Sequence, residues 1–289
     1  MSKCFGGLAA ALLLASASLP ASAQPEAQAA DQPARWHLDG STTRCVLTRR
    51  LAGSPVPATF ILRTLPGSGR YEIILGSPDF PAEIRQFRGE KVSLSLTPGM
   101  DGSVEVPGSW VDLPDSLGQG LAIGPLPADL MPVFAASTSL VIGAEGGGEA
   151  GRWTVPVAGR AAEAVSYCES EKLAEWGADP AGLADGATRA QPSGDTAGWV
   201  TPRQLGLNDT LASLAYTGVY RLGIGTDGRV TDCALLESAG NVDLSLGCRI
   251  LTRVARYSPA RDAAGKAVRS VAVHVVDVRR QTDIRFIEG

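Results

Sequence analysis

Four cysteines constrain the fold of this chain more than any other feature: Cys45, Cys168, Cys233 and Cys248. A fifth, Cys4, precedes them in a segment that matches a cleavable secretion signal and would be lost with it. An even number of cysteines in an exported chain favours disulfides over metal binding or catalysis. Sequence proximity and the division of the chain described below favour the pairs Cys233 with Cys248 and Cys45 with Cys168. Free buried thiols are the alternative.

The N-terminus carries the pattern of a secretory signal. Lys3 is followed by an unbroken apolar stretch at 8–15 and by small residues at 21–23 that form an A-x-A cleavage site. The apolar stretch is shorter than the roughly 20 residues that a spanning helix requires, and Pro20 follows it. We therefore expect a mature chain that starts near Gln24, with no lipid anchor and no transmembrane segment.

Composition divides the rest of the chain into two parts. With 289 residues and 44% hydrophobic content, the chain can build two cores. The formal net charge of -4 excludes a general nucleic-acid binder. Residues 1–198 carry 14 basic and 21 acidic side chains, whereas residues 199–289 carry 12 and 9. We expect a signal peptide (1–23), a flexible segment (24–35), a first domain (36–175), a Gly- and Pro-rich linker (176–198) and a second domain (199–289).

The first domain is predicted to be mostly β-structure. Short β-branched or Leu-rich runs alternate with turn pairs such as Pro66 and Gly67. Regular short strands of this kind are typical of a β-sandwich or a partly closed barrel. One helix is expected at 159–175, where Cys168 could tie it to the first strand at Cys45. The predicted strands are 45–48, 58–64, 71–75, 92–97, 121–124, 140–142 and 152–157.

The sequence of the first domain does not indicate its function. Trp36 and Trp110 suit either a core or a ligand platform. Glu169 and Glu171 form a pair of carboxylates on the predicted helix, and we expect both to be solvated on an exposed surface. No candidate site follows from these residues.

The second domain is predicted to be a strand–strand–helix–strand unit, so that the whole chain belongs to the α+β class. Strands at 218–225 and 229–238 flank Asp227 and Gly228, which favour a two-residue hairpin turn. Asn241 is expected to cap the helix. Helical spacing of apolar residues places this helix on a sheet, and the residues on that face are Leu244, Gly247, Cys248, Leu251 and Val254 or Ala255.

Five pieces of the second domain recur, in the same order, in a known family. They are the strand YRLGIGTDGRV at 220–230, a small-residue turn at 237–240, an amphipathic helix, the aromatic-x-Pro-Ala end at 257–260 and a closing strand at 268–278. In this order they resemble the C-terminal domain of TonB and its relatives, over about residues 199–285. The resemblance implies that the protein works in the periplasm of a Gram-negative bacterium.

The resemblance also implies a binding module rather than an enzyme. In the TonB family, the sheet edge captures an extended peptide, the TonB box of an outer-membrane transporter, by strand addition. The matching edge here is 268–278, and the expected partner is an envelope protein or peptide. The alternative is that the central valines only pack under the helix. The candidate partner-binding residues are Val268, Val271, Val273, Val275, Arg279 and Arg280.

The sequence also departs from an energy transducer of that family. We expect neither an uncleaved N-terminal helix nor a long Pro-rich, charged stalk, and the segment 202–216 lacks the usual Tyr-Pro start. These departures favour a periplasmic relative that does not itself transduce energy.

Two other classes compete with the binding module: a secreted enzyme with a site in the first domain, and a structural envelope factor. His37 and His274 lie in no metal or nucleophile motif. Gly223 and Gly225 lack the third glycine of a phosphate-binding loop. We therefore expect no catalytic residues, no metal and no cofactor.

Overall fold

Alternating burial organises the first part of the chain into strands. The computed structural model describes residues 35–40, 43–85, 87, 91–114, 117–127, 129–144, 148–206, 216–240 and 243–278. In β4 (Ala58–Thr64) every second residue is buried, which places one face of the strand on a core. The other strands here are β1 (His37–Asp39), β2 (Cys45–Leu51), β3 (Gly53–Ser54), β5 (Arg70–Gly76), β6 (Lys91–Thr97), β7 (Val104–Asp112), β8 (Gln119–Pro127), β9 (Ser139–Ala144) and β10 (Glu149–Thr154).

These ten strands pair in the order β1-β2-β4-β5-β8-β7-β6-β9-β10-β3. Each pairing is antiparallel. β3 follows β2 after Ala52 alone and pairs with β10 at the far end of the order. The chain is mostly β-structure with antiparallel sheets, which agrees with the α+β class.

Three helices lie in this part of the described chain: α1 (Ala82–Arg85), α2 (Leu130–Ala136) and α3 (Ala158–Glu175). The predicted helix at 159–175 corresponds to α3. Neither α2 nor β7 was predicted; each contains a proline, Pro132 and Pro107, a residue type that disfavours the interior of a helix or strand. Pro132 lies in the first turn of α2, where its missing N–H costs no helical hydrogen bond.

Trp36 and Trp110 both pack against the core of the first domain. The Trp36 Nε1–H donates to the carbonyl oxygen of Pro156 at 2.9 Å, and its ring meets Phe60 edge to face. Trp110 packs in a similar way on Phe80. Each indole therefore packs against the core. The sequence alone did not decide between a core position and a platform for a ligand.

The segment 176–198, which the sequence predicts to be a linker, is bonded to the C-terminal part of the chain. The Asp179 N–H donates to Arg269 O at 3.0 Å, and the Ser193 N–H donates to Arg256 O at 2.8 Å. Between them, the short strand β11 (Gln191–Pro192) pairs with β14 (Tyr257–Ser258). Backbone hydrogen bonds of this kind leave no apolar period in the sequence, so composition alone could not indicate them.

The C-terminal part contains a three-stranded antiparallel sheet in the order β13-β12-β15. Its elements are β12 (Tyr216–Ile224), β13 (Val230–Ala239), the helix α4 (Leu246–Val254) and β15 (Ser270–Val278). The Tyr220 hydroxyl donates to Leu244 O at 2.8 Å, and Gly247 lies against the same ring, so that the helix approaches the sheet closely. Asn241, the expected cap, lies outside the described residues.

The hairpin between β12 and β13 has a three-residue loop, so the predicted two-residue turn is wrong. The Gly225 N–H donates to Arg229 O at 2.9 Å, and the Gly228 N–H donates to Gly225 O at 3.0 Å. Gly228 has φ 78°, as expected of a turn followed by a glycine bulge. A Cβ at Gly228 would lie 1.9 Å from Tyr257 O, so only glycine fits there.

Two disulfides join helices to strands, in the pairing that the sequence favours. Cys45 of β2 is bonded to Cys168 of α3, and Cys233 of β13 is bonded to Cys248 of α4. Within the described ranges, no helix is long and apolar enough to span a membrane.

Candidate functional site

The outer edge of β15, on the side away from β12, is the backbone feature that the sequence predicts to be a binding site. Among the described strands β15 pairs only with β12, with Val273 opposite Arg221 and Val275 opposite Val219. Outward and inward backbone groups alternate along an antiparallel strand. The Val273 N–H donates to the carbonyl oxygen of Gly67 at 3.1 Å, so the odd-numbered residues direct their backbone groups away from β12.

Gly67 belongs to the loop between β4 and β5, so the first domain covers part of this edge. Gly67 has φ 82°, a conformation that favours glycine. A Cβ on Gly67 would lie 3.0 Å from Leu173 Cδ2 and 3.3 Å from Val271 O. The covered section therefore runs from the carbonyl of Val271 to the N–H of Val273. Between Val273 and Val278, no other described residue forms a backbone hydrogen bond with the outward groups of β15.

The two faces of β15 contact different parts of the molecule. Ala272 and Val276 belong to the core beneath α4, and His274 contacts the Trp199 ring. Val271 lies on the other face, in a small cluster with Leu173 of α3. The alternative that the central valines pack under the C-terminal helix is therefore wrong. The residues of β15 that pack beneath α4 are Ala272 and Val276, whereas Val271 packs toward α3.

The remaining predicted binding residues do not all belong to this edge. Val268 precedes the strand; its N–H donates to Ala260 O at 2.9 Å, and its side chain is buried beside Gly182. Val268 is therefore a packing residue in this structure. Arg279 and Arg280 lie outside the described residues.

A cavity of about 940 Å³ adjoins the edge, and we call it the edge cleft. Its walls include Val271–Val275 of β15, the loop around Gly67, and the face of α3 that carries Glu169 and Leu173. Arg70 and Arg189 also line it. The edge cleft therefore combines a strand edge with charged side chains from the first domain and from the segment before β11.

Glu169 is the charged residue in the edge cleft that the structure holds most firmly. Its Oε1 accepts a hydrogen bond from Thr64 Oγ1 at 2.8 Å, and its Oε2 accepts one from the Tyr71 hydroxyl at 2.9 Å. Burial raises the pKa of Glu169, while the two hydrogen bonds and the charge of Arg189 act in the opposite direction. The expectation of a solvated Glu169 is wrong, whereas Glu171 is exposed.

The sequence signal for Glu169 was its position next to a cysteine on the inner side of α3. Cys168 and Leu173 are both buried, and Glu169 lies one turn before Leu173. A carboxylate at that position faces the sheets rather than solvent. The expectation that Glu169 is solvated came from its acidic neighbour Glu171. The helical spacing of Glu169 relative to Cys168 and Leu173 was the better indicator.

His274 lies where β15 meets the aromatic side chains of the C-terminal core. Its ring is 5.2 Å from that of Trp199, which packs edge to face on Tyr257. Burial lowers the pKa of His274 to about 4, and the positive charge of Arg70 adds to the lowering. His274 is therefore neutral at pH 7 and packs as an aromatic residue, while His37 is exposed on β1.

A second contact joins the first domain to β13, the opposite outer strand of the small sheet. Arg44, just before β2, forms a two-point ion pair with Glu237 of β13, with Nη2–Oε2 2.6 Å and Nε–Oε1 3.0 Å. Although burial raises the pKa of Glu237, hydrogen bonds from Arg44 and Thr43 lower it overall. The first domain thus contacts both outer strands of this sheet, at Glu237 and at Val273.

Comparison with family models, with curated proteins and with solved structures finds no match to this chain. The likeness to the TonB C-terminal domain therefore rests on the residues named above.

Proposed function

We propose that this protein is a periplasmic binding module that captures an extended segment of an envelope protein as an added strand on the outer edge of β15. The observation that supports it most is the bond from the Val273 N–H to Gly67 O, because a backbone carbonyl already docks there in the manner of a strand partner. The TonB box of an outer-membrane transporter is the occupant that the resemblance implies. Energy transduction is not part of the proposal.

The chemistry of the edge supports this function. Beyond Val273, the carbonyl of that residue and the N–H and carbonyl of Val275 point away from β12. Unpaired edge groups of this kind are the template for strand addition. Val275 also lines the edge cleft, so a captured segment has room beside the strand.

A structural envelope factor is the second candidate, and one observation favours it. Gly67 occupies the centre of the edge, and Arg44 holds the opposite strand, so the first domain itself is the partner of the small sheet. In that case the edge serves only to join the two parts of the chain.

The two candidates are separated by titrating the mature chain, residues 24–289, with peptides from TonB-dependent transporters of the same organism. Amide chemical shifts report the binding surface. Strand capture predicts shifts that cluster on Val273–Val278 and on the loop around Gly67. Absence of binding at millimolar peptide would leave the structural role.

Two variants of one residue supply the control. Val275→Pro removes an outward N–H without touching the bonds to β12, and Val275→Ala keeps that N–H while shortening the side chain. Strand capture predicts that the proline variant binds at least about 5-fold more weakly than the alanine variant, from the loss of one hydrogen bond. Equal affinities for the two variants would exclude pairing at Val275.

A further inference from the structure

The geometry of Glu169 points to the kind of side chain that an occupant of the edge cleft carries. Each carboxylate oxygen accepts one hydrogen bond from the protein, which leaves acceptor capacity on both. Among the described residues, Glu169 forms no ion pair within 4.0 Å; Arg189 acts on it only at longer range. A partly buried carboxylate without a close countercharge is more costly to ionise than an exposed one, so an arriving cation would bind favourably.

The position of Glu169 on α3 relates this carboxylate to the strand edge. Glu169 and Leu173 are four residues apart, so they lie on the same side of the helix, about one turn of 5.4 Å from each other. Leu173 packs with Val271 of β15 and lies close to Gly67, since a Cβ added there would be 3.0 Å from Leu173 Cδ2. The carboxylate therefore lies on the side of α3 that faces the edge.

A strand added to β15 presents alternate side chains to the two faces of the sheet. The side chains on the face of Val271 and Val273 would point toward α3, and a long one would reach into the edge cleft beside Glu169. We infer that the captured segment carries a lysine or arginine at such a position and that its cationic head binds Glu169. This inference rests on the proposed strand capture and adds a specificity determinant to it.

The probes are two short acetylated and amidated peptides of alternating valine and threonine, one with a central lysine and one with norleucine there. The inference predicts that the full mature chain binds the lysine peptide about 10-fold or more tightly. It also predicts that this preference falls to below about 2-fold in Glu169→Gln, because the amide keeps the shape and an acceptor oxygen without the charge.

Glu171→Gln is the matched control, because it removes one negative charge from the exposed side of the same helix. The Glu171→Gln variant should keep the preference for the lysine peptide. Thermal unfolding of Glu169→Gln and Glu171→Gln verifies that both are folded. Equal binding of the lysine and norleucine peptides by the parent protein would overturn the inference. Equal loss of preference in the two variants would also overturn it, since the effect would then come from net charge.

A small probe separates this inference from strand capture itself. Nα-acetyl-lysine methylamide should shift the side-chain carboxyl carbon of Glu169, while the norleucine analogue should not. A shift without any peptide binding would keep the cation site and end the strand-capture proposal. If the norleucine peptide binds at the β15 edge and the lysine probes have no additional effect, strand capture stands and the cation site is excluded. If neither probe binds, both proposals fail.

Discussion

The Val273 N–H donates to the carbonyl oxygen of Gly67 at 3.1 Å, which joins the last strand of the small sheet to a turn of the first domain. The edge of β15 is therefore neither fully open nor fully covered. One of its outward N–H groups has a partner, and the next one along the strand, at Val275, borders the edge cleft.

Hydrogen exchange should distinguish these two amides. We expect the Val273 amide to exchange at least about 10-fold more slowly than the Val275 amide in the free protein, because among the described residues only the former has a hydrogen-bond partner on the outer side. NMR-detected exchange of residues 24–289 measures both rates in one sample. Equal protection of the two amides would show that the Gly67 contact is not maintained in solution.

Two glycines of the same turn test the cause of that protection. Gly67→Ala should speed exchange at Val273, because its Cβ would meet Leu173 Cδ2 at 3.0 Å and Val271 O at 3.3 Å. Gly69→Ala is the control: Gly69 also has positive φ, 65°, but its Cβ would meet nothing within 4 Å. Both variants carry backbone strain, so a difference between them at Val273 reports the edge contact. Identical exchange in the two would contradict the account.

Removing the Cys233–Cys248 bridge should cost about 3 kcal/mol of unfolding free energy, because it closes a loop over a sequence separation of 15. Urea unfolding of the Cys233→Ala, Cys248→Ala double variant against the parent measures it. The control is thiol labelling of the unfolded, unreduced parent, in which neither cysteine should react. Labelling at either one would mean that the bridge is absent.

His274 should make the protein less stable in acid. Its pKa is lowered to about 4 by burial, so the unfolded chain binds a proton between pH 6.5 and 4 that the folded chain does not. The stabilisation from the neutral ring is complete above pH 6.5 and decreases by about 3 kcal/mol as the pH falls to 4. His274→Gln should flatten this part of the curve in urea unfolding at several pH values. The same slope in parent and variant would contradict the assignment.

The sequence predicted those parts of the fold whose determinants are local. Alternation gave β4 at its observed bounds, and helical spacing gave α3 within one residue. Contacts between distant segments leave no local pattern, so neither the partner of Val273 nor the partial burial of Glu169 was predicted. Gly67 was recognised as a turn residue, but a turn signal contains no information about which distant strand the turn will meet.

The edge strand was located from its valines, although the side chains do not define its function. Period-two burial indicates that β15 lies in a sheet, but both faces turn out to be covered, by α4 on one side and by the cluster around Leu173 on the other. What distinguishes the edge is the direction of its backbone groups. That direction depends on which neighbour each N–H faces, and only the sheet register reveals it.

Backbone methylation of a bound peptide tests strand capture most directly, because it changes amides of the occupant and leaves the protein intact. In an added strand, alternate peptide N–H groups face β15 and the others face away. Residues 24–289 are titrated with two forms of the lysine peptide, N-methylated at odd or at even positions. The account predicts that one form loses binding by at least about 10-fold while the other keeps it within about 2-fold of the unmodified peptide. Equal affinities of the two methylated forms would contradict strand addition at this edge.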